Sequence, residues 1–128
     1  MEKRDLAERL FEFSVNVIKA IRTLPYAEEY KIIRYQLIKA ATSAGANYEE
    51  SQGAVSTPDF ANKVGIALKE AREANYFIRL IIAVTENPVV WIPLREESAE
   101  LKKILGSIYT KTSKPRKGES NKEGKDKG

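Results

Sequence analysis

The sequence contains no cysteine and no histidine, and only one tryptophan and one methionine among its 128 residues. Without thiols there is no disulfide framework and no thiolate zinc site. Without imidazole there is no Ser–His or Cys–His nucleophile pair and no histidine proton shuttle. Long apolar runs are also missing. The most apolar stretch, Phe77 to Val84, is short and broken by Arg79, whereas a bilayer span needs about 20 apolar residues. The N-terminus is charged and passes into an amphipathic pattern with no signal-type apolar core. A soluble, cytoplasmic protein that does not enter membranes is the expectation.

What is present suits a packed core. Hydrophobic residues make up 42% and charged residues 31% of the chain, a balance that excludes global disorder, and the length fits one domain. The formal charge of +4 is unevenly placed: residues 113–128 carry six cations and three anions, leaving residues 1–112 almost neutral. Those last residues include no large apolar side chain, so nothing there offsets the entropy of ordering. The division expected is a bundle over residues 1–112 and a disordered charged tail over 113–128. The tail reads first as a solubilising extension and second as an electrostatic arm for RNA or DNA.

Periodicity predicts four helices. Leu6, Leu10, Phe13, Val17, Ala20 and Leu24 recur at spacings of four and three over residues 5–24, with Pro25 as a stop. Ile33, Leu37, Ala40, Ala44, Asn47 and Ser51 continue the pattern over residues 28–55. Ser56 with Asp59 resembles a capping box opening a third helix over residues 58–85, whose main stripe is Phe60, Val64, Ala67, Ala71, Ala74, Ile78 and Ile81. A fourth helix starts between Pro88 and Pro93 and reaches Thr112, with Trp91, Leu94, Ser98, Leu101, Leu105 and Ile108 as its seam. No strand-type alternation occurs. Four amphipathic helices with short turns predict an all-α, antiparallel up-down-up-down bundle. The second and third helices are long for this mass, about 40 Å each from the rise per residue, so their ends or second faces are expected to pack against other copies of the chain.

Two features of these helices point beyond the core. Residues 40–46 are small throughout, and Gly45 and Gly65 interrupt helices where glycine costs about 1 kcal/mol against alanine; close helix approach is the expected reason, with a thin wall for a partner helix or ligand as the alternative. A second stripe of the third helix reads Lys63, Ile66, Glu70, Glu73, Phe77, Leu80 and Val84. It sets two carboxylates and a cation on an apolar face. With the second and third helices antiparallel, Asn47 and Glu50 come near Lys63, and Glu70 and Glu73 extend the group into a buried polar network. Such ions need mutual satisfaction. The leading expectation is a structural network that fixes register or subunit contacts; a solvated face comes next, and a carboxylate metal or catalytic site through Glu50, Glu70 and Glu73 third. The last would be all-oxygen, because histidine is absent. No cofactor and no resident metal are expected.

Basic residues near aromatics give a further set. Arg9, Lys19 and Arg22 on the first helix, Lys31, Arg34 and Lys39 beside Tyr30 and Tyr35 on the second, and Lys114, Arg116 and Lys117 in the tail are candidate nucleic-acid contacts. The interspersed Glu8, Glu12, Glu28 and Glu29 favour an ordinary salt-bridged surface.

Residues 34–51, with Ala-Asn-Tyr-Glu-Glu at 46–50, the Ser-Thr-Pro-Asp-Phe segment at 56–60 and Ala-Leu-Lys-Glu-Ala-Arg-Glu at 67–73 resemble the bacterial four-helix-bundle proteins encoded in 23S ribosomal RNA intervening sequences. The similarity covers about residues 5–110. It implies an antiparallel four-helix bundle, homopentamers in relatives, and kinship with accessory variability proteins of diversity-generating retroelements, which bind reverse transcriptase and nucleic acid. Asn47, Glu50, Lys63, Glu70 and Glu73 match the polar pattern of that family, and Phe77 stands where many relatives carry Trp. The functional expectation is a non-catalytic oligomeric scaffold or adaptor for RNA, DNA or a nucleic-acid enzyme. The alternatives are a carboxylate-based metal-binding bundle and a partner-binding module that touches no nucleic acid.

Overall fold

A computed structural model of the chain describes residues 5–113. Helix α1 spans Leu6–Ile21 and buries Leu10, Phe13, Val17 and Ala20 on the expected stripe. It stops earlier than its apolar period. Beyond it the chain tightens: the N–H groups of Thr23 and Leu24 donate to the carbonyls of Ala20 and Ile21. Leu24 stays buried without being helical. Helix α2 spans Glu28–Gln52 and ends at Gly53, whose N–H donates to the carbonyls of Glu50 and Ser51, short of the expected residue 55.

Helix α3 spans Thr57–Val84. Ser56 accepts from the Asp59 N–H at 3.1 Å, and the Asp59 carboxylate reaches back to the Val55 N–H at 3.2 Å. The Ser56 half is the capping box expected from the sequence; the return half is displaced by one residue, Asp59 taking the N–H of Val55 in place of that of Ser56. A 3-10 turn at Val89–Trp91 leads into helix α4, Ile92–Ser113. Pro93 therefore lies in the first turn, where its missing N–H costs nothing. Trp91, fully buried, pins that turn to the core. Ser113, expected to open the tail, is still helical; the rest of the expected tail, residues 114–128, lies outside the described residues.

The described residues thus form four helices and no strand: the fold is all-α, and no helix among them is long and apolar enough to cross a membrane. Helices α1 and α2, and likewise α3 and α4, run antiparallel at their contacts. Leu10 of α1 meets Gly45 of α2, while Ser14 donates to the Ala41 carbonyl at 3.1 Å. Tyr109 of α4 lies over Gly65 of α3, Leu68 beside Gly106, and Ser98 opposite Asn75. The longest contact joins α2 and α3, and Ala40, Ala41, Ala44, Ala67, Ala71 and Ala74 are all buried, so the small-residue faces do lie inside.

The two mid-helix glycines differ. A Cβ at Gly65 would sit 2.9 Å from the Tyr109 ring, whereas one at Gly45 would meet Leu10 at an ordinary 3.6 Å. The backbones of α1 and α2 come close at Gly45, where the Leu10 carbonyl lies 3.7 Å from the added carbon, whereas at Gly65 it is the Tyr109 ring that fills the space of a side chain.

Candidate functional site

The five residues expected to form one buried network do not join within a chain. Asn47 turns back on its own helix, its Nδ2 donating to the Ser43 carbonyl at 2.9 Å and to the Ser43 hydroxyl at 3.2 Å. Lys63 does the same with Asp59 at 3.2 Å. Glu50 is exposed and Glu73 half-buried. Partners one helical turn away satisfy Asn47 and Lys63 before any partner across the seam is needed, which is why the expected convergence fails. Nor do the carboxylates gather elsewhere: no group of three or more acidic side chains among the described residues is placed to hold a metal ion.

Glu70 is the exception. It is 8% exposed, and its Oε1 is buried with no hydrogen-bond donor among the described residues. A buried acceptor left unpaired costs about 1–3 kcal/mol. Its stripe neighbours Phe77 and Leu80 are packed against the core edge, while Val84 at the end of the stripe is half exposed.

Two expected nucleic-acid contacts, Arg9 and Arg34, hold the fold together. Arg9 grips Glu97 through Nε at 3.0 Å and Nη2 at 2.9 Å, and Glu100 through Nη2 at 2.9 Å. It thereby ties α1 to α4, and the hydrogen bond to Glu97 holds its guanidinium above the ordinary range. Arg34 donates to the Pro25 carbonyl at 3.2 Å and covers the Tyr26 ring at 5.3 Å, clasping the α1–α2 turn. Lys19, Arg22, Lys31 and Lys39 are exposed and spread over α1, the residue that caps it, and α2. Lys114, Arg116 and Lys117 lie outside the described residues.

The structure gathers other cations in the groove between α3 and α4. Asn75 is 3% exposed; its Nδ2 donates to Ser98 Oγ at 2.9 Å. Its Oδ1 accepts from Arg79 Nε at 3.0 Å and from Lys102 Nζ at 3.2 Å. Arg72 and Lys103 line the same groove with Lys102, facing Glu96 and Glu100. Glu100 is already engaged by Arg9. Lys69 and Arg72 carry the line on to Tyr109 over Gly65. At the other end Arg79 lies 5.7 Å from the Tyr76 ring centroid, and Tyr76 is 52% exposed. Sequence periodicity missed this set because its members sit on two helices and none lies on an apolar stripe.

The sequence model of the 23S rRNA-intervening sequence protein family matches residues 2–107. The chain belongs to this family. A solved relative agrees: the 1.70 Å crystal structure of a protein with unknown function from the S23 ribosomal protein family of Bacteroides thetaiotaomicron VPI-5482 is 31% identical, with a TM-score of 0.74 over 82% of this chain and 98% of that one. No curated protein matches. Membership in the 23S rRNA-intervening sequence protein family agrees with the all-α fold and leaves the activity to be argued from the surface.

Proposed function

We propose that the chain is a non-catalytic helical scaffold or adaptor: an up-down-up-down bundle that assembles with copies of itself and engages RNA, DNA or an enzyme that acts on nucleic acid, such as a reverse transcriptase. The observation that carries the assembly is the orphan oxygen of Glu70. Among the described residues of one chain this acceptor is buried and unpaired; a donor from a second copy would satisfy it. Exposed apolar surface supports the same reading. Phe11 is 63% exposed and lines a groove with Val15, Ile18 and Ala46, surface that assembly would cover. Five copies is the number that family resemblance implies. The non-catalytic part rests on the absence of thiol and imidazole from the sequence.

Size-exclusion chromatography with light scattering at 1–50 µM tests the reading. The expected result is a discrete multimer that Glu70→Leu shifts toward smaller species, because the charge-assisted bond it loses is worth about 1.5–3 kcal/mol. A monomeric wild type whose stability rises in Glu70→Leu would refute it, since the carboxylate would then be an unpaired burden on a lone chain.

A further inference from the structure

Two full positive charges on one neutral oxygen, drawn from two helices, make an arrangement that lacks its counter-charge. Asn75 holds Arg79 and Lys102 together, yet neither cation has an ion-pair partner among the described residues. Arg72, Lys103 and Lys69 in the same groove have none either. Glu96 is the one nearby acid in the groove lining that no cation engages. A neutral amide aligns such a cation pair without neutralising it, which a carboxylate in its place would do.

The geometry also limits what can enter. The groove is open, about 750 Å³ in volume along its Arg72–Lys103 stretch. Partly exposed tyrosines flank the line of cations, Tyr109 over Gly65 beside Lys69 and Arg72, and Tyr76 beside Arg79. Positions 65 and 76 lie about 16 Å apart along α3. A line of unpaired cations with a partly exposed ring at either end suits a flexible backbone with unpaired bases better than a free anion, which needs no ring, or a duplex, whose bases are already stacked.

We propose that the α3–α4 groove binds single-stranded polynucleotide. Arg79 and Lys102, aligned by Asn75, clamp one phosphate. Arg72, Lys103 and Lys69 follow the backbone, and Tyr76 and Tyr109 stack bases. This deepens the nucleic-acid arm of the proposed function and is independent of self-assembly.

Fluorescence anisotropy of the full chain tests it, with labelled 12-nucleotide single-stranded RNA, single-stranded DNA of the same sequence, and the corresponding duplex. Both single strands should bind more tightly than the duplex; any further preference for RNA would mean that ribose hydroxyls are read as well. Raising salt from 50 to 200 mM should weaken binding about 50-fold if four phosphates are neutralised. Arg79→Gln with Lys102→Gln should weaken it at least tenfold while the helical circular dichroism spectrum stays unchanged. Asn75→Asp, which supplies the missing negative charge in place, should do the same, and Tyr76→Ala should weaken it several-fold. If the strands bind and neither the double variant nor Asn75→Asp changes their affinity, the groove assignment is overturned and the nucleic-acid reading moves to Lys31, Lys39 or the tail. If no strand binds at 50 mM salt, both are overturned.

Discussion

Adding one methyl group at each of two helical glycines should give two different results. Both Gly45 and Gly65 lie inside long helices, where Gly→Ala gains about 1 kcal/mol from backbone entropy and helix propensity. At Gly45 the new Cβ meets Leu10 Cβ at 3.6 Å and its carbonyl at 3.7 Å. These are ordinary contacts, so the gain survives. At Gly65 the same atom would stand 2.9 Å from Tyr109 Cε1 and 3.4 Å from Cδ1. The ring must retreat by about half an ångström, and overpacking of this kind costs about 1–3 kcal/mol. Tyr109 is 37% exposed and can swing outward, which puts the cost at the low end. Gly45→Ala should therefore raise stability by about 1 kcal/mol, or about 4 °C in Tm for a domain of this size, and Gly65→Ala should change it by about zero. Trp91, the single tryptophan and fully buried, reports unfolding by fluorescence. Urea melts of the three proteins at one fixed concentration measure both differences. A loss of 1 kcal/mol or more in Gly45→Ala would mean that α1 and α2 approach closer than these contacts indicate. An equal gain at both sites would mean that Tyr109 does not lie over Gly65.

Arg9→Met should lower stability by about 1–3 kcal/mol, since it removes a doubly paired, half-buried guanidinium contact; a double-mutant cycle with Glu97→Gln should return most of that as coupling, and additive effects would refute the α1–α4 tie. Ser56→Ala should lose about 1 kcal/mol as the α3 cap goes. Asp59 is held below its usual carboxylate value, first by the Val55 N–H and then by Lys63. A depressed pKa means that its contribution is fully present above the unfolded value of 3.8 and is lost as pH falls through the folded one. Asp59→Asn should thus be less stable than wild type at pH 7, and the difference should shrink in urea melts as pH falls below 3.8; a gap that stays unchanged in acid would contradict the cap.

How far the sequence could be read follows from what each signal measures. Four-and-three spacing tracks apolar side chains, and it located all four helices; it failed at their ends, where Leu24 remains buried after the α1 hydrogen-bond ladder has stopped. The Ser56–Asp59 cap was legible because its partners are three residues apart and need no tertiary contact. The polar network was misjudged for the reverse reason. A stripe places Lys63, Glu70 and Glu73 on one face, but it cannot say that Asn47 and Lys63 will be satisfied within their own helices.

The α3–α4 groove had one clue in the sequence, and it lay on the opposite helix. Ser98 occupies a seam position of α4 between Leu94 and Leu101 and is 1% exposed. Its hydroxyl can donate to the Arg95 carbonyl one turn back, as it does at 3.0 Å, but its lone pairs then need a donor from across the interface. On α3 that donor must stand off the main stripe, because the helix is buried against α2 and α4 at once. Leu68 and Asn75, one helical face apart from Ala67 and Ala74, mark its α4 side. Asn75 is the polar member of that pair. Once its Nδ2 is fixed on Ser98, its Oδ1 is turned toward whatever lies at the groove mouth, and the side chains one turn along α3 and across on α4 are Arg79 and Lys102. A buried serine in an apolar seam therefore sets the orientation of an amide, and that amide sets the spacing of two cations. A search for buried seam serines and their cross-helix donors would have found the groove where a search for runs of basic residues did not.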